Sequence, residues 1–180
     1  MNTCIDKVIL TDIQIKRIVN RISKKINKYY YNSKEIIEII VILEGAKIFS
    51  NDIFASSFLE TSKFNINFIN ISSYHNGTKS KDKINIEKCN LSHIEKKKVL
   101  IIDDIYETGN TLDFLIKYLK KYNPLEIKIC VLLERDIEHK KKIDIEFLGV
   151  IVRNLYFLVG YGLDYQGKCR ELPLIGTLKK

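Results

Sequence analysis

Asp103 and Asp104 stand side by side in the stretch VLIIDDIYETGNTL (99–112), after four apolar residues and before a Thr-Gly turn that opens a new apolar periodicity. Burying an unpaired carboxylate is costly. A strand that ends on two of them must face something that welcomes negative charge, such as ligand hydroxyls or a hard cation. The turn offers a complementary half. At the start of a helix, the backbone N–H groups of Thr108, Gly109, Asn110 and Thr111 can converge on a phosphate. The helix dipole and the two threonine hydroxyls assist, and Gly109 allows close approach. A phosphorylated sugar fits both halves. On spacing alone, an ordinary strand-to-helix turn whose aspartates cap and solvate stays open beside it.

A parallel α/β sheet puts such a turn where ligands bind, beyond the carboxyl ends of its strands. The flanking segments predict that sheet. Thr11 and Gln14 have capping-box spacing, and Ile15, Ile18, Val19, Ile22 and Ile26 follow at helical intervals, predicting a first helix. EIIVIL (38–43) reads as a strand that ends in Glu44-Gly45, with Ile48, Phe49, Ile53, Phe54 and Phe58 on one face of a second helix. FNINFINI (64–71) alternates as a strand, and the polar SSYHNGTKSKDK (72–83) after it predicts a mobile loop or hairpin. Residues 99–102 read as a strand, and Leu112, Leu115, Ile116 and Leu119 mark a third helix. IKICVLL (127–133) and IEFLGVIV (145–152) add two strands. Apolar strands alternating with amphipathic helices predict an α/β fold, a mainly parallel central sheet flanked by helices. No repeat, linker or composition break divides residues 1–180, so one domain is expected.

Hydrophobic residues make up 46% and charged residues 29% of the chain, with only two prolines and eight glycines. That balance fits a globular domain and argues against long disorder. The longest apolar run, IIVIL (39–43), is too short to span a bilayer, and no basic segment followed by an uninterrupted apolar one opens the chain. No membrane partner is expected. The net charge of +8 favours a polyanion or an anionic small substrate, but much of it lies in scattered lysine runs that read as solvated surface. Cys4, Cys89, Cys130 and Cys169 lie far apart without C-x-x-C spacing. Neither a zinc site nor a disulfide framework is expected, and a reducing cytoplasm is the default.

VLIIDDIYETGNTL resembles the phosphoribosyl-pyrophosphate motif of the type I phosphoribosyltransferases, and three further stretches resemble its hypoxanthine-guanine branch. These are VILEGAKIFSNDI (41–53), similar to the pyrophosphate loop; SSYHNGT (72–78), similar to the flexible lid loop; and FLVGYGLDYQGKCRELPLIG (157–176), similar to the C-terminal purine and pyrophosphate segment. The resemblance implies a type I phosphoribosyltransferase fold with a small hood from the chain ends. It also implies conversion of hypoxanthine or guanine with phosphoribosyl pyrophosphate into the nucleotide and pyrophosphate.

By that resemblance Asp103 and Asp104 grip the ribose hydroxyls and reach Mg2+, and Glu107, Thr108, Gly109, Asn110 and Thr111 take the 5'-phosphate. Glu44, Gly45 and Arg170 face pyrophosphate, while Arg135, Phe157, Leu158 and Asp164 face the purine, with Asp164 also meeting a metal ion. Ser73 and Tyr74 belong to a lid that excludes water from the activated ribose. Glu107 falls on the carboxylate assigned to proton transfer at purine N7. Three positions depart from the family pattern. Glu107 replaces the usual aspartate, Arg135 replaces a lysine, and Glu44 replaces a lysine. For Phe157 a plain core aromatic is the competing reading, and for Asp164 and Arg170 a turn cap and a surface arginine. Homodimers or homotetramers are implied. A rival reading is a regulator of the same fold that binds nucleic acid through its basic surface and keeps the nucleotide pocket as a sensor. The purine segment favours the enzyme, for which nucleic acid is not an expected partner.

Overall fold

The computed structural model describes residues 4–74, 83–86, 91–153 and 156–179, and for 72–74 and 83–86 it describes the backbone path. The order is β1 (Ile5–Leu10), α1 (Asp12–Tyr30), β2 (Ile37–Leu43), α2 (Ala46–Ala55), β3 (Phe64–Tyr74), β4 (Lys83–Ile86), β5 (Lys98–Tyr106), α3 (Asn110–Lys120), β6 (Glu126–Arg135), β7 (Phe147–Val152), β8 (Leu158–Val159) and β9 (Ile175–Leu178). Strands β3, β2, β5, β6 and β7 pair in that order, all parallel, and β4 adds an antiparallel edge on β3.

Alternation along these strands divides the core. Ile37, Ile39 and Val41 of β2, Leu100 and Ile102 of β5, and Leu132 of β6 pack with α1 and α2. Ile40 and Ile42, Val99 and Ile101, and Ile129 and Val131 pack on the other face, with Leu112, Leu115 and Leu119 of α3. Because both faces are covered at the centre of the sheet, β2, β5 and β6 carry largely apolar runs, whereas β3 alternates. The capping box of α1 is formed as its spacing predicts: Gln14 N donates to Thr11 Oγ1 at 3.3 Å, and Thr11 N donates to Gln14 Oε1 at 2.9 Å. The second helix stops at Ala55, so Phe58 lies beyond it, partly exposed under Lys24 Nζ at 4.0 Å. Segment 136–146 crosses from β6 to β7 with no helix. No helix among the described residues is long and apolar enough to cross a membrane.

The chain ends form a second, three-stranded antiparallel sheet in the order β1-β9-β8, which is the hood. Its strands are short and mix polar with apolar residues, which left no readable alternation in the sequence. The hood also corrects the cysteine expectation. Cys4 and Cys169 are joined by a disulfide across a separation of 165 residues. They meet because β1 and the loop before β9 close on one another, a proximity that linear spacing does not carry. Cys130 is buried and free, and Cys89 lies outside the described residues.

Candidate functional site

Strands β2, β5 and β6 end at one edge of the sheet, and the hood loop 157–170 lies against that edge. Two adjoining recesses result. A cavity of about 210 Å³ brings together Gly45, Asp104, Glu107, Arg135, Phe157, Leu158, Asp164 and Arg170. A smaller one, about 170 Å³, is lined by Asp103, Glu107, Thr108, Gly109 and Thr111 among others. Residues from four separate stretches of sequence thus share one place, and Glu107 borders both recesses. Asn110 opens α3 just outside the lining, its N–H donating to Thr108 Oγ1 at 3.3 Å. Glu44 is exposed and its side chain lines neither recess. Ser73 and Tyr74 pair in β3 with Ile84 and Lys83 of β4, and their side chains lie outside the described residues.

The acidic pair is held by its own backbone. Asp103 Oδ1 accepts from Asp104 N at 3.0 Å, and Asp104 Oδ1 accepts from Ile105 N at 2.8 Å. Asp103 is buried, and that burial together with the charge of Asp104 pushes its carboxyl well above the usual range. Burial pushes Asp104 up as well, while hydrogen bonds from its surroundings and the Arg170 guanidinium pull it back. Two adjacent carboxylates with so little compensating charge suit a hard cation that also binds a ligand. Among the described residues no three acidic, histidine or cysteine groups gather into a metal site. Asp164 is turned instead to Arg170, with Oδ1 2.7 Å from Nη2, and its Oδ2 accepts from Gly167 N at 2.6 Å. A magnesium ion here would therefore complete its shell from a ligand and water, the usual habit of that ion.

Glycines let the elements close in. A Cβ on Gly45 would lie 1.8 Å from Asp104 Oδ2, and one on Gly162 would lie 2.2 Å from the Gly45 carbonyl oxygen. Arg170 Nη1 donates to the Gly162 carbonyl at 2.6 Å, so the arginine stitches the hood loop where it meets β2. Gly109, at φ 79°, starts α3 in a left-handed conformation. Arg135, at the last position of β6, is buried with its Nε 3.5 Å from Glu107 Oε1. Phe157 is 53% exposed and meets Tyr165 edge-on at 5.5 Å, which excludes the plain core aromatic.

Two supporting residues escaped the sequence reading. Tyr161 OH donates to Asp52 Oδ2 at 2.6 Å, tying the hood loop to α2. Tyr106 OH donates to the Lys141 carbonyl at 2.7 Å and accepts from Ile143 N at 3.0 Å, tying the end of β5 to segment 136–146. Both lie inside the quoted motifs, but nothing in the sequence signals their long-range partners.

Residues 8–166 match the family model described as "Phosphoribosyl transferase domain". The chain belongs to the phosphoribosyltransferase family. It is 34% identical over 174 residues to the hypoxanthine-guanine phosphoribosyltransferase of Dictyostelium discoideum, covering 97% of this chain and 96% of that protein. The crystal structure of a hypoxanthine phosphoribosyltransferase from Staphylococcus aureus superposes with a TM-score of 0.87 at 35% identity, covering 99% of this chain and 96% of the other. A mutant hypoxanthine phosphoribosyltransferase from Trypanosoma cruzi, complexed with the product IMP, superposes at 0.86 with 25% identity, covering 99% and 94%. The parallel sheet, flanking helices and hood are thus those of a phosphoribosyltransferase. None of these likenesses supports a nucleic-acid-binding regulator.

Proposed function

We propose that this phosphoribosyltransferase is a purine-salvage enzyme. It moves the phosphoribosyl group of phosphoribosyl pyrophosphate to N9 of hypoxanthine or guanine, releasing pyrophosphate and forming IMP or GMP. The observation that carries the reading is the pair of joined recesses. One is lined by a helix-opening loop and the buried Asp103, and the other by an exposed aromatic ring, Phe157, and a buried arginine, Arg135.

In this reading the loop 107–111 holds the 5'-phosphate through its N–H groups. Asp103 and Asp104 accept from the ribose hydroxyls. Phe157 stacks on the purine beside Leu158, Arg135 donates to its 6-oxo group, and Arg170 with the backbone at Gly45 meets the pyrophosphate. Asp103 and Asp104 would hold magnesium, which would supply charge neutralisation for the leaving pyrophosphate. Charge develops on the ribose ring as in glycoside hydrolysis, and a lid to which Ser73 and Tyr74 belong would keep water from it. Glu107 takes the N7 proton, with Arg135 close enough to hold its carboxylate at the base. Asp164 orients Arg170 by their ion pair and leaves the metal shell to Asp103 and Asp104. Glu44 contributes through backbone, its side chain lying outside the recesses.

We place the enzyme in the cytoplasm as a homodimer or homotetramer. That compartment keeps thiols reduced, and the hood has other ties there, since Lys179 N donates to the Cys4 carbonyl at 3.0 Å and β1 pairs with β9. The deciding experiment measures product formation from phosphoribosyl pyrophosphate with hypoxanthine, guanine, xanthine, adenine and uracil. A site that donates to a 6-oxo group rejects adenine, whose exocyclic amine leaves the donor unpaired, by several powers of ten, about 10⁴. No turnover with any base overturns the proposal, and comparable kcat/KM for hypoxanthine and adenine removes Arg135 from its role.

A further inference from the structure

Segment 136–146 has no regular structure, yet it folds back over the loop that follows β5, and its side-chain tie is His139. The His139 ring stacks on the Tyr106 ring with centroids 3.9 Å apart and planes inclined by 20°. Nε2 lies 3.1 Å from Glu134 Oε1, and Nδ1 bonds to the Glu107 carbonyl oxygen. A carbonyl oxygen only accepts, so Nδ1 carries the hydrogen of that bond. Two residues further, Lys141 N donates to the Thr108 carbonyl at 3.0 Å. Segment 136–146 therefore holds the carbonyls of two consecutive loop residues.

A planar trans peptide points its C=O and its N–H in opposite directions. Fixing the Glu107 carbonyl on His139 aims the Thr108 N–H the other way, and fixing the Thr108 carbonyl on Lys141 does the same for Gly109 N–H. Successive N–H groups turned to one side make an anion nest. The recess lined by Glu107, Thr108 and Gly109 is where such a nest opens.

We infer that His139 is a positioning residue for phosphate binding: through its bond to the Glu107 carbonyl it turns the Thr108 N–H into the recess. The inference rests on reading 107–111 as the 5'-phosphate loop. An imidazole that merely filled a gap beside Tyr106 would need its ring and not its Nδ1–H, and two substitutions separate these roles. His139→Phe keeps a ring against Tyr106 and loses the donor. His139→Asn loses the ring and keeps an N–H at the Nδ1 position.

The affinity for ribose 5-phosphate is measured by calorimetry, and KM for phosphoribosyl pyrophosphate and for hypoxanthine by initial rates. His139→Phe should weaken ribose 5-phosphate binding and raise KM for phosphoribosyl pyrophosphate by about tenfold, the weight of one aimed N–H on an anion. KM for hypoxanthine should stay within about threefold, and His139→Asn should recover most of the lost phosphate affinity. The reverse order, with Phe near wild type and Asn weakened, overturns the inference in favour of ring packing. So does an equal rise of both KM values in both variants. A wild-type protein that binds ribose 5-phosphate but turns over no base sinks the transferase reading alone, because the phosphate arm still judges His139.

Discussion

Gly45→Ala tests whether the Asp104 carboxylate must sit where it does. The added Cβ would lie 1.8 Å from Oδ2 and 2.6 Å from Cγ, and contact becomes ordinary only at 3.4 Å, so the carboxylate must retreat by roughly 3.4 − 1.8 = 1.6 Å. Its freedom to do so is small, because Oδ1 already accepts from Ile105 N at 2.8 Å. A misplacement of about 1 Å at a reacting centre costs on the order of a hundredfold. We therefore expect kcat/KM for phosphoribosyl pyrophosphate to fall by about 10². The backbone gives no competing explanation: Gly45 has φ −59° and ψ −47°, angles that alanine adopts without strain, so any fall in melting temperature reads the crowding of the Asp104 carboxylate and not the backbone. Initial rates at saturating magnesium and hypoxanthine, beside a thermal melt, read both quantities. Added to Asp104→Ala, the glycine substitution should cost little more, since the group it displaces is already gone. If Gly45→Ala keeps kcat/KM within about threefold of wild type, the retreating carboxylate has no part at the ribose and the reasoning fails.

Three other outcomes follow from the same geometry. Glu107→Gln should lower kcat by about 10² to 10⁴ while Glu107→Asp stays close to wild type, and a kcat for the glutamine variant within about threefold would show that no carboxylate base acts at N7. Asp103→Asn should abolish turnover yet raise the melting temperature of the chelator-treated protein. Burial lifts the folded Asp103 above its unfolded pKa, so it costs nothing below the unfolded value and destabilises as pH rises through the folded one. The gain should thus be present at neutral pH and vanish on acidification; a lower melting temperature at neutral pH refutes it. Reducing the Cys4–Cys169 bond, which closes a separation of 165 residues, should remove about 2–4 kcal/mol of stability, measured by denaturant titration with and without a dithiol.

How much of this was legible in the sequence follows from the range of each interaction. The acidic turn was readable because a strand buried on both faces is an unbroken apolar run, and that run breaks off at Asp103 and Asp104; β5 itself continues past them, paired with β6 as far as Tyr106, which the apolar pattern of 99–102 did not carry. The α1 cap was readable because Thr11 and Gln14 satisfy each other within one turn. The hood strands, the disulfide and the grip of segment 136–146 on the loop after β5 were not, since each joins residues far apart through stretches without periodicity. The departures at Glu107 and Arg135 show most directly what spacing hides. In the sequence they are separate substitutions, each a longer or differently shaped group than the family uses. In the fold the Arg135 guanidinium and the Glu107 carboxylate face one another, 3.5 Å apart between the two recesses. The extra methylene of glutamate and the forked head of arginine therefore meet in one contact. Judged singly, Glu107 looks like a group moved out of reach; judged with Arg135, it is a carboxylate held by an ion pair where it borders both recesses.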